Sequence, residues 1–401
     1  MPERVSGAAD RVRWARAAAF HPEAFRRALR ALGSLPALTT ASPATLRAAG
    51  LGERALARLA QAESSLATDL RWLEHPDHHL LMPGDCAFPP LLEPLCDAPL
   101  ALWVRGDPAL LRQPQVAVVG SRRATATGRE VAAEFAAAAV GAGWTVTSGL
   151  AIGIDAAAHR GALQAQGKTL AVCATGPDRL YPREHRELAE EIAASGALVT
   201  EFPPGTPALK AHFPFRNRLL AGLSVGTLVV EAALPSGTLV TARLAAEQGR
   251  EVLVVPGSIR NPETRGCHAL LKDGARLVDS APDFLNALEN SSLVLDGTVP
   301  LPTPVQAAGR TASQPDAAGH WLDSDEEILL DALGFEPQDF DTLVSRTGFG
   351  PARLAALLHT LELAGWLEAR AGGWFARLGN PGVAVRRTPR TPSARAVRAS
   401  H

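Results

Sequence analysis

From residue 116 onward, short and wholly apolar runs alternate with alanine-rich stretches of helical spacing. The runs occupy 116–119, 145–147, 169–173, 197–200, 227–230 and 252–255. Continuous apolar strands separated by helices predict an α/β fold whose parallel sheet is covered on both faces. Its crossovers are expected to be right-handed. Ligands of such sheets sit beyond the carboxyl ends of the strands, where Gly120-Ser121-Arg122, Ser148-Gly149 and Glu231 fall.

The flanking segments follow other patterns. Residues 1–75 read as short helices: Phe25, Leu29 and Leu32 repeat at helical spacing, Gly33-Ser34 breaks the run, and Ser42-Pro43 is an N-cap with proline at the first helical position. Leu46-Arg47-Ala48-Ala49-Gly50-Leu51-Gly52-Glu53 reads as two helices joined by a glycine turn. Such a turn either offers backbone N–H groups to phosphates, as in a helix-hairpin-helix, or simply C-caps a helix in a small bundle. The α/β domain spans 76–290, and 291–321, rich in Pro, Ser, Thr, Ala and Gly, reads as a linker. Residues 322–378 carry an acidic helix, a second helix near 342–346 and a third with Leu354, Leu357, Leu358 and Leu361 on one face. A hairpin turning at Gly372-Gly373 completes a winged helix. The tail, 379–401, has Arg386, Arg387, Arg390, Arg395 and Arg398 without an acid and is expected to be disordered.

Composition narrows the class. A chain of 401 residues predicts two to four domains. Its formal charge of −1 excludes attraction spread over the whole surface, so a polyanion has to be met by a local basic cleft. Lysine occurs only at 168, 210 and 272, a bias that extends through loops and tail and reads as genome composition. The four cysteines, with no C-x-x-C spacing, fit a reducing cytoplasm. His75, His78, His79 and Cys86 match no standard zinc spacing, and no metal is expected. The N-terminus does not read as a signal peptide, and no run reaches the ~18 apolar residues that span a bilayer.

The turns after the strands carry the candidate chemistry. The helix start behind Gly120 favours an anion, Ser121 adds a hydroxyl, and Arg122 adds a planar fork for phosphate. The segment is neither G-x-G-x-x-G nor a P-loop, so nicotinamide and ATP sites are disfavoured and no cofactor is expected; a purely structural turn is the alternative. Ser148, Gly149 and Gly153 would bring a second set of N–H groups to the same crevice. Asp155 and His159, four apart on one helix, are either an acid/base pair or a cap and a packed ring; without a nucleophile nearby the latter is favoured. Tyr181, the only tyrosine, either stacks on a base or pins its loop. Arg216-Asn217-Arg218 is the sharpest signal: one arginine is expected in an internal ion pair and the other on a ligand. Ser236-Gly237-Thr238 is a further hydroxyl-lined helix start or an ordinary N-cap, and Lys168 either adds charge at the cleft rim or is a solvated turn residue.

The winged helix argues against base reading. Residues 322–346 hold eight acids and one arginine, Arg346, and the third helix offers only Arg353 as a base. Phosphates would repel such a module, and groove readout needs Arg, Asn or Gln. A protein contact is the expected role.

Taken together, Gly120-Ser121-Arg122, Ser148 through Asp155 with Ala158-His159, Tyr181-Pro182, Glu201, Phe213-Pro214 with Arg216-Asn217-Arg218, Glu231 with Ser236-Gly237, Pro256-Gly257 and Gly274-Ala275 resemble the DNA-processing protein A family, also called Smf. The resemblance runs from about 80 to 288. It implies an extended Rossmann-like domain between an N-terminal helical domain of the SAM or helix-hairpin-helix kind and the winged helix. It also implies a cytoplasmic homodimer that binds single-stranded DNA, protects incoming DNA and loads RecA in natural transformation, without covalent chemistry. The implied DNA contacts are Gly120, Ser121, Arg122, Ser148, Gly149, Gly153, Lys168, Arg216, Asn217, Arg218, Ser236, Gly237 and Thr238. Two residues depart from the family pattern: Phe88 precedes Pro89 where tyrosine is usual, and His268 stands where asparagine is common. The competing reading is a nucleotide-binding phosphoribohydrolase of the lysine-decarboxylase-like group. It is weakened because Glu231 precedes Leu234-Pro235-Ser236-Gly237-Thr238 rather than following it.

Overall fold

The computed structural model describes residues 2–304, 324–334 and 337–378, in two compact units, Met1–Ala307 and Ala308–His401. The first begins with six helices: α1 (Pro2–Ala18), α2 (Pro22–Leu32), α3 (Leu35–Thr40), α4 (Pro43–Ala48), α5 (Glu53–Gln61) and α6 (Leu66–Trp72). Local sequence sets their ends. Gly33, at φ 78°, closes α2, and the hydroxyls of Ser34 and Ser42 accept N–H bonds at the starts of α3 and α4. These helices do not keep a core to themselves. Trp14, Phe25, Leu38 and Leu51 share one with Met82, Leu100, Ala101 and Trp103, from beyond the expected boundary at 75.

The sheet has nine strands: β1 (His78–Leu81), β2 (Leu102–Gly106), β3 (Gln115–Val119), β4 (Thr145–Ser148), β5 (Thr169–Val172), β6 (Ala197–Thr200), β7 (Gly226–Val229), β8 (Glu251–Val254) and β9 (Arg276–Leu277). Their order is β1-β2-β6-β5-β4-β3-β7-β8-β9, with β2 antiparallel to both β1 and β6 and the other pairs parallel. The six apolar runs of the sequence became β3 to β8 within a residue or two. Missing from the sequence pattern were β1, which opens on two histidines, β2, which closes on Arg105-Gly106, and the two-residue β9.

The connecting helices are α7 (Ala126–Gly141), α8 (Ile154–Gln164), α9 (Arg186–Ser195), α10 (His212–Leu223), α11 (Gly237–Glu247), α12 (Arg265–Lys272) and α13 (Ala281–Glu289). One layer buries Phe135, Ala139, Ile154, Ala158 and Phe284 against the sheet. The other buries Leu219, Leu220, Leu223, Ala242 and Cys267. Phe88, one of the two departures, lies in this second core, where a ring needs no hydroxyl. The first part of the expected linker is folded: after α14 (Ser292–Leu295), Val299 is buried with Leu293 and Val294 against the first layer. Three closely spaced apolar side chains suffice to hold it there. The remainder of that linker, 305–321, and the expected disordered tail, 379–401, lie outside the described residues.

The second unit is a winged helix, with α15 (Ser324–Leu333), α16 (Phe340–Thr347), α17 (Pro351–Leu363) and strands β10 (Gln338–Asp339), β11 (Leu367–Arg370) and β12 (Trp374–Arg377) in the order β10-β12-β11. Leu330, Leu343, Leu354, Leu358, Leu361 and Trp366 form its core. Among the described residues no helix is long and apolar enough to cross a membrane.

Candidate functional site

The carboxyl ends of β3, β4 and β7 open into a cleft of about 570 Å³. Lining it are residues 120–123 after β3, Ala151 and Asp155, Tyr181, Lys210, then Phe213, Arg216 and Asn217 of α10, and Ser236, Gly237 and Thr238 at the start of α11. Gly153, at φ 88°, lets the turn after β4 lie against the turn after β3, because a Cβ there would collide with the Ser121 carbonyl. Thr238 Oγ1 donates to the Gly120 carbonyl at 3.0 Å, and Ser236 Oγ accepts from the Thr238 N–H at 3.1 Å. Asn217 Nδ2 donates to the Gly237 carbonyl at 3.4 Å. Together with the Ile154 N–H, which donates to the Ser121 carbonyl at 3.2 Å, these bonds join the turns after β3 and β4 and the start of α11 into one rim.

The cations at this rim are in different states. Arg122 is exposed, with its guanidinium 5.3 Å from the centroid of the Phe213 ring. Phe213 in turn meets Tyr181 edge to face at 5.4 Å, and Tyr181 keeps 49% of its surface exposed. Arg123 reaches Glu263 at 3.3 Å, and Ser121 Oγ donates to the same carboxylate at 2.6 Å. Lys210 is exposed at the mouth. Sequence reasoning nominated neither Arg123 nor Lys210, although Arg123 directly follows Arg122 and Lys210 is one of only three lysines.

Burial sets several of the expected contacts apart from the open rim. Arg218 is 5% exposed and does not line the cleft; it pairs with Glu201 and lies 3.8 Å from Asp97. Burial pushes the Glu201 carboxyl up to about 7, against the pull of that guanidinium. Arg216 lines the cleft floor but is 4% exposed, and its guanidinium donates to the carbonyls of Gly149, at 2.9 Å, and Val172. The Gly149 N–H is taken by the Asp155 carboxylate at 3.1 Å, and the Ser148 hydroxyl by the Val118 carbonyl at 2.7 Å. Ser148 and Gly149 therefore shape the cleft rather than donate into it. Lys168 stands before the first residue of β5, at the opposite end of the sheet from the cleft.

The helix start behind Gly120 already holds an anion. Glu231 accepts from the Thr125 N–H at 2.9 Å and the Thr125 hydroxyl at 2.7 Å, at the N-cap of α7. A hydrolase reading that uses Glu231 would need that carboxylate free. Asp155 and His159 are not an acid/base pair either. Asp155 ties down the turn before its own helix, its pKa raised by burial while Arg216 opposes the rise. His159 Nδ1 lies 2.7 Å from the Thr169 hydroxyl, and burial lowers its pKa to about 3. The other family departure, His268, places Nε2 3.0 Å from the Gly257 carbonyl, outside the cleft lining.

The fold and its cleft define an α/β protein with a doubly wound, mostly parallel sheet, a basic rim at the strand ends and an appended winged helix. Residues 79–289 match the family described as DNA recombination-mediator protein A, and residues 311–373 match the DprA winged helix domain. The chain belongs to the DNA-processing protein A (DprA/Smf) family. It is 42% identical over 312 residues to Protein Smf of Escherichia coli, covering 77% of this chain and 80% of that one. To DNA processing protein DprA of Streptococcus pneumoniae it is 43% identical over 205 residues, covering 51% and 72%. The X-ray structure of the Streptococcus pneumoniae DNA processing protein A superposes with a TM-score of 0.62 at 33% identity, covering 68% of this chain and 95% of that one.

Proposed function

We propose that the chain binds single-stranded DNA in the cleft at the strand ends, protects incoming DNA and loads RecA onto it for recombination in natural transformation. In this reading it acts as a cytoplasmic homodimer without covalent chemistry. One observation carries the choice of ligand: Arg122 projects beside the Phe213–Tyr181 pair, with Tyr181 half exposed. A guanidinium for phosphate next to an aromatic face for an unpaired base suits a single strand. Lys210 and the open start of α11 at Gly237 extend the phosphate path, in place of Arg218 and Lys168. Membership in the family supports the DNA-processing role.

The test is equilibrium binding of single- and double-stranded oligonucleotides of equal length over a salt series. Single strands are expected to bind more tightly, with affinity falling steeply as salt rises. Equal or tighter binding of duplex would overturn the reading. Loading is read separately, as the rate of RecA filament formation on single strands with and without the protein, and no acceleration would remove that part.

A further inference from the structure

A second cleft, of about 860 Å³, lies on the other side of the loop that carries Tyr181. Leu180 and Arg183 line it while Tyr181 lines the first, so the wall between the two is a single stretch of chain in which consecutive residues face opposite sides. On the floor, Trp72 and His78 stack with ring centroids 4.0 Å apart, and His75 continues the column at 4.5 Å, ending in an exposed ring. Arg183, in the short helical turn before α9, and Arg186, the first residue of α9, line the cleft, exposed and without an ion pair among the described residues. The third arginine, Arg105, is already paired with Glu190. Of the two remaining acids, Asp178 accepts the Gly205 N–H at 2.8 Å beside Arg179, and Asp77, whose backbone N–H donates to His75 Nδ1 at 3.2 Å, is an exposed carboxylate at the edge of the cleft. His185, between the two free arginines, has Nδ1 2.9 Å from the Leu150 carbonyl, which fixes the start of α9 to the turn of the first cleft.

We propose that this second cleft continues the DNA track. A single strand leaving the first cleft crosses the exposed Tyr181 ring, sets phosphates on Arg183 and Arg186, and extends the Trp72–His78–His75 column with a base. The inference rests on the first cleft being the primary single-strand site, and the experiment separates the two. Affinities of the full chain are measured for deoxythymidine oligonucleotides of about 5 and about 16 nucleotides, lengths that bracket one or both clefts. In Arg183→Ala/Arg186→Ala, short-oligonucleotide affinity is expected to stay within about twofold while the long one weakens about tenfold. The slope of log K against log[salt] for the long oligonucleotide is expected to flatten by about 1.4, two phosphate contacts' worth. His75→Ala, at an exposed position, is expected to weaken the long oligonucleotide without changing that slope. An unchanged long-oligonucleotide affinity, or equal losses at both lengths, in a folded Arg183→Ala/Arg186→Ala protein overturns the track. Wild-type short-oligonucleotide affinity in Arg122→Ala would overturn the first-cleft reading, and this extension with it.

Discussion

Arg122, Arg216 and Arg218 occupy three grades of commitment to the fold. Arg122 is exposed and lies over an aromatic face, Arg216 sits in the floor bonded to two carbonyls, and Arg218 pairs with Glu201 in the interior. On a helix, residues two apart point to nearly opposite sides, so Arg216 and Arg218 cannot both face the cleft. Arg122→Ala is therefore expected to weaken single-strand binding about tenfold, the worth of one charge-assisted contact, with an unchanged melting temperature. Arg218→Ala is expected to do the reverse. It strands Glu201 in the interior and destabilises the fold by roughly 3 kcal/mol, while the folded fraction binds like the wild type. Calorimetry beside fluorescence anisotropy checks both, and a stable Arg218→Ala protein with weakened binding would refute the assignment. The motif Arg216-Asn217-Arg218 was legible in the chain, and so was the expectation that one arginine is structural. Which one was not, because the deciding partners, Glu201, Asp97 and the Val172 carbonyl, come from distant segments.

At the scale of elements, internal polar bonds fix the turns that make the cleft. Asp155 holds the N–H groups of Gly149 and Ala151, Arg216 holds the carbonyl side of Gly149, and His159 ties α8 to Thr169 on β5. His159 makes this clamp acid-sensitive. Its folded pKa is lowered from 6.5 to about 3 by burial, so its contribution to stability is complete above pH 6.5 and is lost as pH falls toward 3. Across that window unfolding takes up close to one proton here, worth at most about 1.4 kcal/mol per pH unit. His159→Gln, which keeps one bond to Thr169 and cannot ionise, is expected to flatten the fall of melting temperature between about pH 6 and pH 4; parallel curves for the two proteins would reject the clamp. Strands β3 to β8 were readable because buried parallel strands are apolar on both faces. By contrast β1, an edge strand, carries His78 and His79, and β2, paired on both sides, ends on Arg105, whose guanidinium reaches Glu190, so neither reads as an apolar run. The occupied start of α7 was unreadable for a related reason: Glu231 arrives there from beyond another strand.

For the whole molecule, the question is which unit meets the polyanion. With a formal charge of −1, attraction has to be local. The first unit concentrates free Arg122 and Lys210 at one cleft, whereas the second opens on eight acids between 322 and 346. The single arginine of its third helix, Arg353, is paired with Asp325. Phosphates gain little from such a surface. Removing residues 308–401, the second unit, is expected to leave single-strand affinity within about threefold, under ~0.7 kcal/mol. The basic segment 379–401 complicates the comparison, since its five arginines add diffuse attraction at low salt. Deleting 379–401 alone isolates that term, which is expected to vanish near physiological ionic strength. If removing the winged helix after the tail abolished binding while the first unit kept its melting transition, the second unit would have to carry DNA contacts that its charge argues against.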